Sequence, residues 1–293
     1  MKTLYNVHHV SDFDYERPVN FARCNLRLKP IDWPGQHLLS HDISVTPLAR
    51  LSIGASRNAL VNITRLVVSQ PTTSLNIISD ARLIIDRDVP EIITTDLCIG
   101  DVARLARESN DISAHAPAHF LYPSPLITAD ASIAAWCGTG LNPDRPVVAA
   151  IFELALRIMA DFTFDPDATK TETLPAEAFI KRAGVCQDFA QIMICGLRSA
   201  GLPAAYASGY IRTIAAPGEA RLQGADAMHG WVLVWCGPEG VAGGRGWIGI
   251  DPTNGIFMAG DHIIVAVGRD YRDIAPIDGI FSGYGAQIGR AHV

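Results

Sequence analysis

At Gly201-Leu202-Pro203 the hydrophobic rhythm of this chain changes from a helical repeat to alternation. That change limits the second half to helices followed by an antiparallel sheet, an α+β arrangement. Before it, Cys186 to Ala200 places Phe189, Ile192, Met193 and Leu197 on one helical stripe. After it, Ala204–Thr213, His229–Cys236, Gly246–Asp251 and His262–Gly268 read as strands of one sheet, with Gly243-Gly244-Arg245-Gly246 turning a hairpin between the second and third. Two more helices precede the change. Val147–Asp161 has Pro146 near its start and Ile151, Leu154 and Ile158 at helical spacing, and Pro175–Ala183 is a short helix ended by Gly184.

The first 90 or so residues have a different texture. Short runs rich in β-branched residues, at 4–10, 25–29, 41–45, 58–68 and 77–85, are separated by Pro, Gly, Asn or Ser. Closely spaced strands of this kind predict a β-sandwich. A stretch punctuated by Pro90, Pro117, Pro123 and Pro125 follows, with a short helix expected near 100–109. The boundary is placed there, giving a β-rich domain over 1–110 and a second domain with a C-terminal extension over 111–293. A length of 293 residues suits two cores, and 48% apolar against 18% charged residues is enough to fill them.

Charge narrows the classes of partner. The net charge of −6 comes without any Lys/Arg-rich run, which argues against nucleic acid. The first residues lack the apolar core of a secretory signal, and no stretch reaches the ~18 apolar residues that span a bilayer. The expectation is a cytoplasmic protein with no membrane partner. Six cysteines at wide spacing, with no C-x-x-C pair, predict reduced thiols and neither a disulfide framework nor a metal. A zinc site from Cys186, His229 and Cys236 lacks the close ligand pairs such sites use. Cys24, Cys98, Cys137 and Cys236 are read as buried hydrophobes, and Cys195, mid-helix, as structural.

Three positions carry chemistry. Cys186 lies in the first turn of its helix, where unsatisfied N–H groups and the helix dipole favour a thiolate and can hold an oxyanion. His229 opens a strand and shares a side with Trp231, Leu233 and Trp235. Asp251 closes the neighbouring strand on the side of Trp247 and Gly249, with Pro252 cutting the strand short. A buried carboxylate needs a donor, and the tight hairpin puts Asp251 beside His229, where it can bind one ring nitrogen and leave the other to the thiol. Asp188, in the same first turn, is either a dipole partner or a substrate-orienting acid. Gln187 is either an oxyanion donor or an ordinary first-turn polar residue.

These segments also carry a resemblance. Arg182-Ala183-Gly184-Val185-Cys186-Gln187-Asp188-Phe189-Ala190, Gly201-Leu202-Pro203-Ala204 with Ser208-Gly209-Tyr210, Ala227-Met228-His229-Gly230-Trp231-Val232 and Trp247-Ile248-Gly249-Ile250-Asp251-Pro252-Thr253-Asn254 resemble the core of bacterial transglutaminase-like proteins. The start of the chain is similar to the β-rich region that often precedes that core, and Gly268–Pro276 to the segment that often follows it. The resemblance implies a papain-like fold with Cys186 as nucleophile, His229 as base and acid, and Asp251 orienting the imidazole. Superfamily members include protein cross-linkers, peptidases and amidases. The tryptophan whose indole helps hold the oxyanion in animal transglutaminases has no assigned counterpart here.

The expected activity is attack of Cys186 on an amide carbonyl, a thioester intermediate, and hydrolysis of a peptide, protein or small amide, with no cofactor. Two alternatives stay open: aminoacyl transfer from glutamine to an amine, and a peptide-binding module whose triad is idle. Nothing in the sequence indicates an oligomeric state.

Overall fold

A computed structural model describes residues 2–54, 60–212, 222–223, 227–283 and 287–292. Asn58, Ala59 and Thr213, assigned above to strands, lie outside the described residues. The first sheet is built on one long strand, β1 (Thr3–Leu26), with β2 (Gln36–Thr46), β3 (Arg50–Gly54), β4 (Ile63–Val68) and β5 (Thr72–Ile85) in the order β2-β5-β1-β4-β3. The N-terminal half of β1 pairs with β5 and its C-terminal half with β4. The β1–β5 register slips between Asp14 and Val19, the stretch that holds Pro18, which has no N–H to give a ladder. The expected runs at 4–10 and 25–29 are therefore parts of a single element that ends at Leu26. Tyr15, Cys24 and Leu26 of β1 pack with Leu66 and Val68 of β4 and with Leu75 and Ile77 of β5, so the halves of the sheet enclose a common core.

The helical part follows: α1 (Ile99–Glu108), a 3₁₀ turn at Pro117–Phe120, α2 (Ala131–Gly138), α3 (Val147–Asp161), β6 (Thr163–Phe164), α4 (Pro175–Lys181), β7 (Ala183–Gly184) and α5 (Cys186–Ser199). Then come β8 (Ala204–Ile211), β9 (His229–Trp235), β10 (Trp247–Asp251), β11 (Ile256–Phe257), β12 (His262–Gly268) and α6 (Tyr271–Ile274). The four expected strands form one antiparallel sheet in the order β11-β10-β9-β8-β12, with the helices packed against it. The α+β class and the transglutaminase-like core with a strand-rich N-terminal part are those read from the sequence. One helix stop differs. α4 ends at Arg182, in the left-handed region at φ 52°, and not at Gly184. The Arg182 guanidinium lies 4.1 Å from the centre of the Phe179 ring and 4.8 Å from that of Phe162, contacts that favour this turn without glycine.

Every residue of β8, β9 and β12 is buried. The reason is a layer on each face. Tyr206, Val232 and Val234 meet the helices through Ile151, Phe189 and Met193. On the other face Trp231, Leu233 and Ile264 meet Ile31, Trp33 and Leu60. Tyr210 and Ile263, which pair on the Tyr206 side at the far end of β8, meet Val7, Leu83 and Ile85. The buried Gln36 side chain joins the two sheets, donating to Ile31 O and Ile264 O at 2.7 Å each and accepting from Ile264 N at 2.8 Å.

The segment after the core turns back. β13 (Ile277–Gly283) runs antiparallel along residues 19–26 of β1, and β14 (Gln287–His292) along Val10–Tyr15. Among the described residues no helix is long and apolar enough to cross a membrane. Of the cysteines expected to be buried, Cys98 is only half-buried, its thiol donating to Asp144 O at 3.2 Å.

Candidate active site

Cys186 is the first residue of α5, the helix whose apolar stripe anchors it under the sheet. The turn is held by Asp188. Its Oδ2 accepts from Val185 N at 2.8 Å and from the Thr169 hydroxyl at 2.6 Å. This is the reach-back half of a capping box, since a valine side chain at the N-cap has nothing to accept with. Gly184 makes room for it: a Cβ there would lie 2.5 Å from Asp188 Oδ2. Burial raises the Asp188 pKa, and the bonds from Thr169 and Val185 oppose that rise. Asp188 is thus buried beneath the helix start. Gln187 borders the cavity beside Cys186, with its amide donating to Thr171 O at 2.8 Å.

His229 and Asp251 meet as the strand pattern predicted. Gly249 faces Leu233 and Ile250 faces Val232, so the next residue, Asp251, lies diagonally across from His229 on the same face. His229 Nε2 donates to Asp251 Oδ2 at 2.9 Å, with both side chains fully buried. Asp251 is saturated with donors. Oδ1 accepts from Thr253 N at 2.9 Å and Asn254 N at 3.3 Å, and Oδ2 also accepts from Asn254 Nδ2 at 2.8 Å. His262 Nε2 lies 3.4 Å from the same oxygen. Burial alone would raise the Asp251 pKa, but the charge and hydrogen bond of His229 hold it far below the usual carboxylate range. Burial likewise lowers the His229 pKa, and the negative charges of Asp251 and Cys186 more than reverse this, raising it to about 10.

With Nε2 committed to Asp251, Nδ1 is the ring nitrogen left to meet the sulfur. It is buried and makes no thiol hydrogen bond of standard geometry in this structure, although the sulfur couples to the ring by charge and by side-chain proximity. Cys186 and His229 border one cavity of about 540 Å³, whose opposite wall is supplied by His9, Ser11 and Phe13 of β1.

Two of these contributions were missed from sequence. His262 opens a strand that is otherwise wholly buried, and a buried imidazole needs a partner, so the argument that flagged Asp251 applies equally to it. The wall from β1 depends on how the two sheets pack, which no local pattern encodes. Cys195, read as structural, is buried, with its thiol donating to Thr128 O at 3.3 Å and its pKa raised by burial.

The fold and the grouping of a thiol, an imidazole and a carboxylate around one cavity define a class: α+β proteins built for cysteine-based catalysis. The chain belongs to the transglutaminase-like superfamily. It matches that family over residues 137–252, which span Cys186, His229 and Asp251, and it matches the bacterial transglutaminase-like N-terminal region over residues 5–83. An uncharacterized protein of Mycobacterium bovis is 32% identical over 277 residues, 94% of this chain and 87% of that protein. A protein-glutamine gamma-glutamyltransferase of Pseudomonas aeruginosa is 32% identical over 110 residues, 37% of this chain and 16% of that protein. A crystal structure of a proposed cysteine protease from Cytophaga hutchinsonii shares the fold, with a TM-score of 0.72 at 18% identity, covering 99% of this chain and 91% of that one.

Proposed function

We propose that this chain hydrolyses a peptide or amide bond through a thioester on Cys186, with His229 as proton carrier and Asp251 as its orienter. The observation that carries this reading is the fully buried His229–Asp251 pair at 2.9 Å, bordering the cavity that Cys186 shares. Asp251 fixes the ring so that Nδ1 is free for the sulfur. The thiolate sulfur adds to the carbonyl carbon, and the C=O π pair moves onto oxygen. Collapse breaks the C–N bond, and the proton on His229 passes to the departing amine. Water then attacks the thioester, His229 takes its proton, and the acid leaves with the thiolate restored.

Aminoacyl transfer is the second reading. It is supported by the similarity over 110 residues to a protein-glutamine gamma-glutamyltransferase. It differs only in the group that takes the acyl from sulfur.

Iodoacetamide labelling followed by mass spectrometry tests the nucleophile. Cys186 should react much faster than the buried Cys195, whose thiol is bonded to Thr128 O. Equal labelling of both thiols in the folded protein would sink the proposal. A labelled primary amine offered with a glutamine-rich protein separates the two readings. Ammonia release without incorporation supports hydrolysis, and incorporation dependent on Cys186 supports transfer.

A further inference from the structure

On β8, directly above the start of α5, stands a tyrosine that the triad does not use. Tyr206 is 2% exposed, and its ring packs edge-on against Tyr271 at 6.2 Å. It borders the same cavity as Cys186 and His229. The ring is enclosed, whereas its hydroxyl makes no hydrogen bond among the described residues and opens onto that cavity. Space for the hydroxyl is specifically provided. A Cβ on Gly230, the residue after His229, would overlap the Tyr206 hydroxyl oxygen. The glycine thus lets a polar group reach between the histidine strand and the cavity, where an apolar side chain would have filled the core without cost.

Burial keeps this phenol protonated, and negative charge on Cys186 adds to the effect, so Tyr206 is a neutral donor close enough to the sulfur to feel its charge. The same cavity is bordered by the Ser208 and Tyr271 hydroxyls and by the start of α5, whose first-turn N–H groups have no partner within the helix. The Gln187 amide is already engaged by Thr171 O.

We propose that the Tyr206 hydroxyl is an oxyanion donor of this site, binding the substrate carbonyl oxygen together with the N-terminal N–H groups of α5 as the sulfur adds. The inference rests on the thiol chemistry proposed above. It supplies that chemistry with a side-chain donor in place of the indole that animal transglutaminases use.

Two reagents separate the nucleophile from the oxyanion. p-Nitrophenyl acetate acetylates the sulfur. The C–S bond forms as the C=O π pair moves onto oxygen, then collapse expels p-nitrophenolate and leaves the Cys186 thioester, which water converts to acetate and free thiol. Iodoacetamide is attacked at a saturated carbon, where the C–S bond forms as iodide leaves and no oxyanion develops. Tyr206→Phe should slow acetylation about 100-fold and leave alkylation of Cys186 within about twofold. Tyr206→Met should show the same split, which covers the case in which the phenylalanine variant does not fold. Ser208→Ala, a neighbouring buried hydroxyl at the same cavity, should change neither rate. Acetylation unchanged in both Tyr206 variants, loss of both reactions in equal measure, or a slowed acetylation in Ser208→Ala alone would overturn the assignment to Tyr206. If wild-type Cys186 reacts with neither reagent faster than Cys195, the thiol reading itself falls.

Discussion

Replacing Asp251 with asparagine keeps the shape of the side chain and removes its charge. In the native site Oδ1 serves two backbone N–H groups, and Oδ2 serves His229, Asn254 and, at longer range, His262. An asparagine whose oxygen faces the backbone points its NH₂ at three nitrogens that also donate. Turned over, it abandons the backbone instead. Either way a fully buried ion pair is broken from one side, a loss of about 3–5 kcal/mol. The sign with pH follows from the two partners. An unfolded histidine titrates near ~6.5, whereas His229 is raised to about 10, so its contribution is whole below the first value and disappears as pH rises through the second. Asp251 is depressed in the folded protein, so its contribution is whole above ~3.9 and is lost on acidification. The wild-type advantage over Asp251→Asn should therefore be largest between about pH 4 and 6.5 and shrink towards alkaline pH. Urea unfolding of both proteins at about pH 5.5, 7.5 and 9.5 measures this. In the variant the His229 ring, opposed by burial and supported only by Cys186, should lose its proton at lower pH, and the pH profile of iodoacetamide labelling should move with it. A stability gap that widens as pH rises, or an unmoved labelling profile, would refute the reasoning.

Gly184→Ala should drive a methyl group into Asp188 Oδ2 and Cβ, at 2.5 and 2.9 Å, and pull the carboxylate off Val185 N. About 1–3 kcal/mol of stability should go, with a fall in Cys186 labelling rate, since the same turn carries the sulfur. Calorimetry and alkylation kinetics would detect both. Arg198→Met should cost more. That guanidinium, its pKa lowered to about 10 by burial, donates to Phe120 O, Ala204 O, Arg269 O and the Ser124 hydroxyl, which would all lose their donor. A loss of about 3 kcal/mol or more is expected, and a change in urea midpoint too small for 1 kcal/mol would contradict it. Cys186→Ala should remove the negative charge that helps hold His229 protonated, so the ring's titration, followed by NMR, should move to lower pH while the fold persists. An unchanged titration would separate the sulfur from the imidazole.

The diagonal approach of Asp251 to His229 was legible because it needs only two short antiparallel neighbours and alternation. The tight hairpin expected between them is instead a longer connection over residues 236–246. The placement of Cys186 at a helix start was legible because the stripe of Phe189, Ile192, Met193 and Leu197 begins just after it, with Gly184 breaking the pattern just before. His262 was harder to read. Its strand pairs with β8 and not with β10, and it reaches Asp251 only because the short segment after Asp251 carries it round. Pairing order of that kind is a tertiary property. Arg182 shows another limit, since a glycine two residues on looked like the helix stop until the aromatic rings around the guanidinium were known. The continuity of β1 through Pro18 was hidden for a related reason. A proline usually ends a strand, and here a shift of register absorbs it.

The return of β13 and β14 along β1 has a consequence for how the chain can be cut. Both partners of that long strand's flank leave the ribosome only after the whole catalytic core, so until then β1 exposes an unpaired edge. A fragment stopped near residue 110 would keep that edge open and should self-associate. A circularly permuted chain that joins the neighbourhoods of Thr3 and His292 would instead lay the clasp down beside the strand it secures.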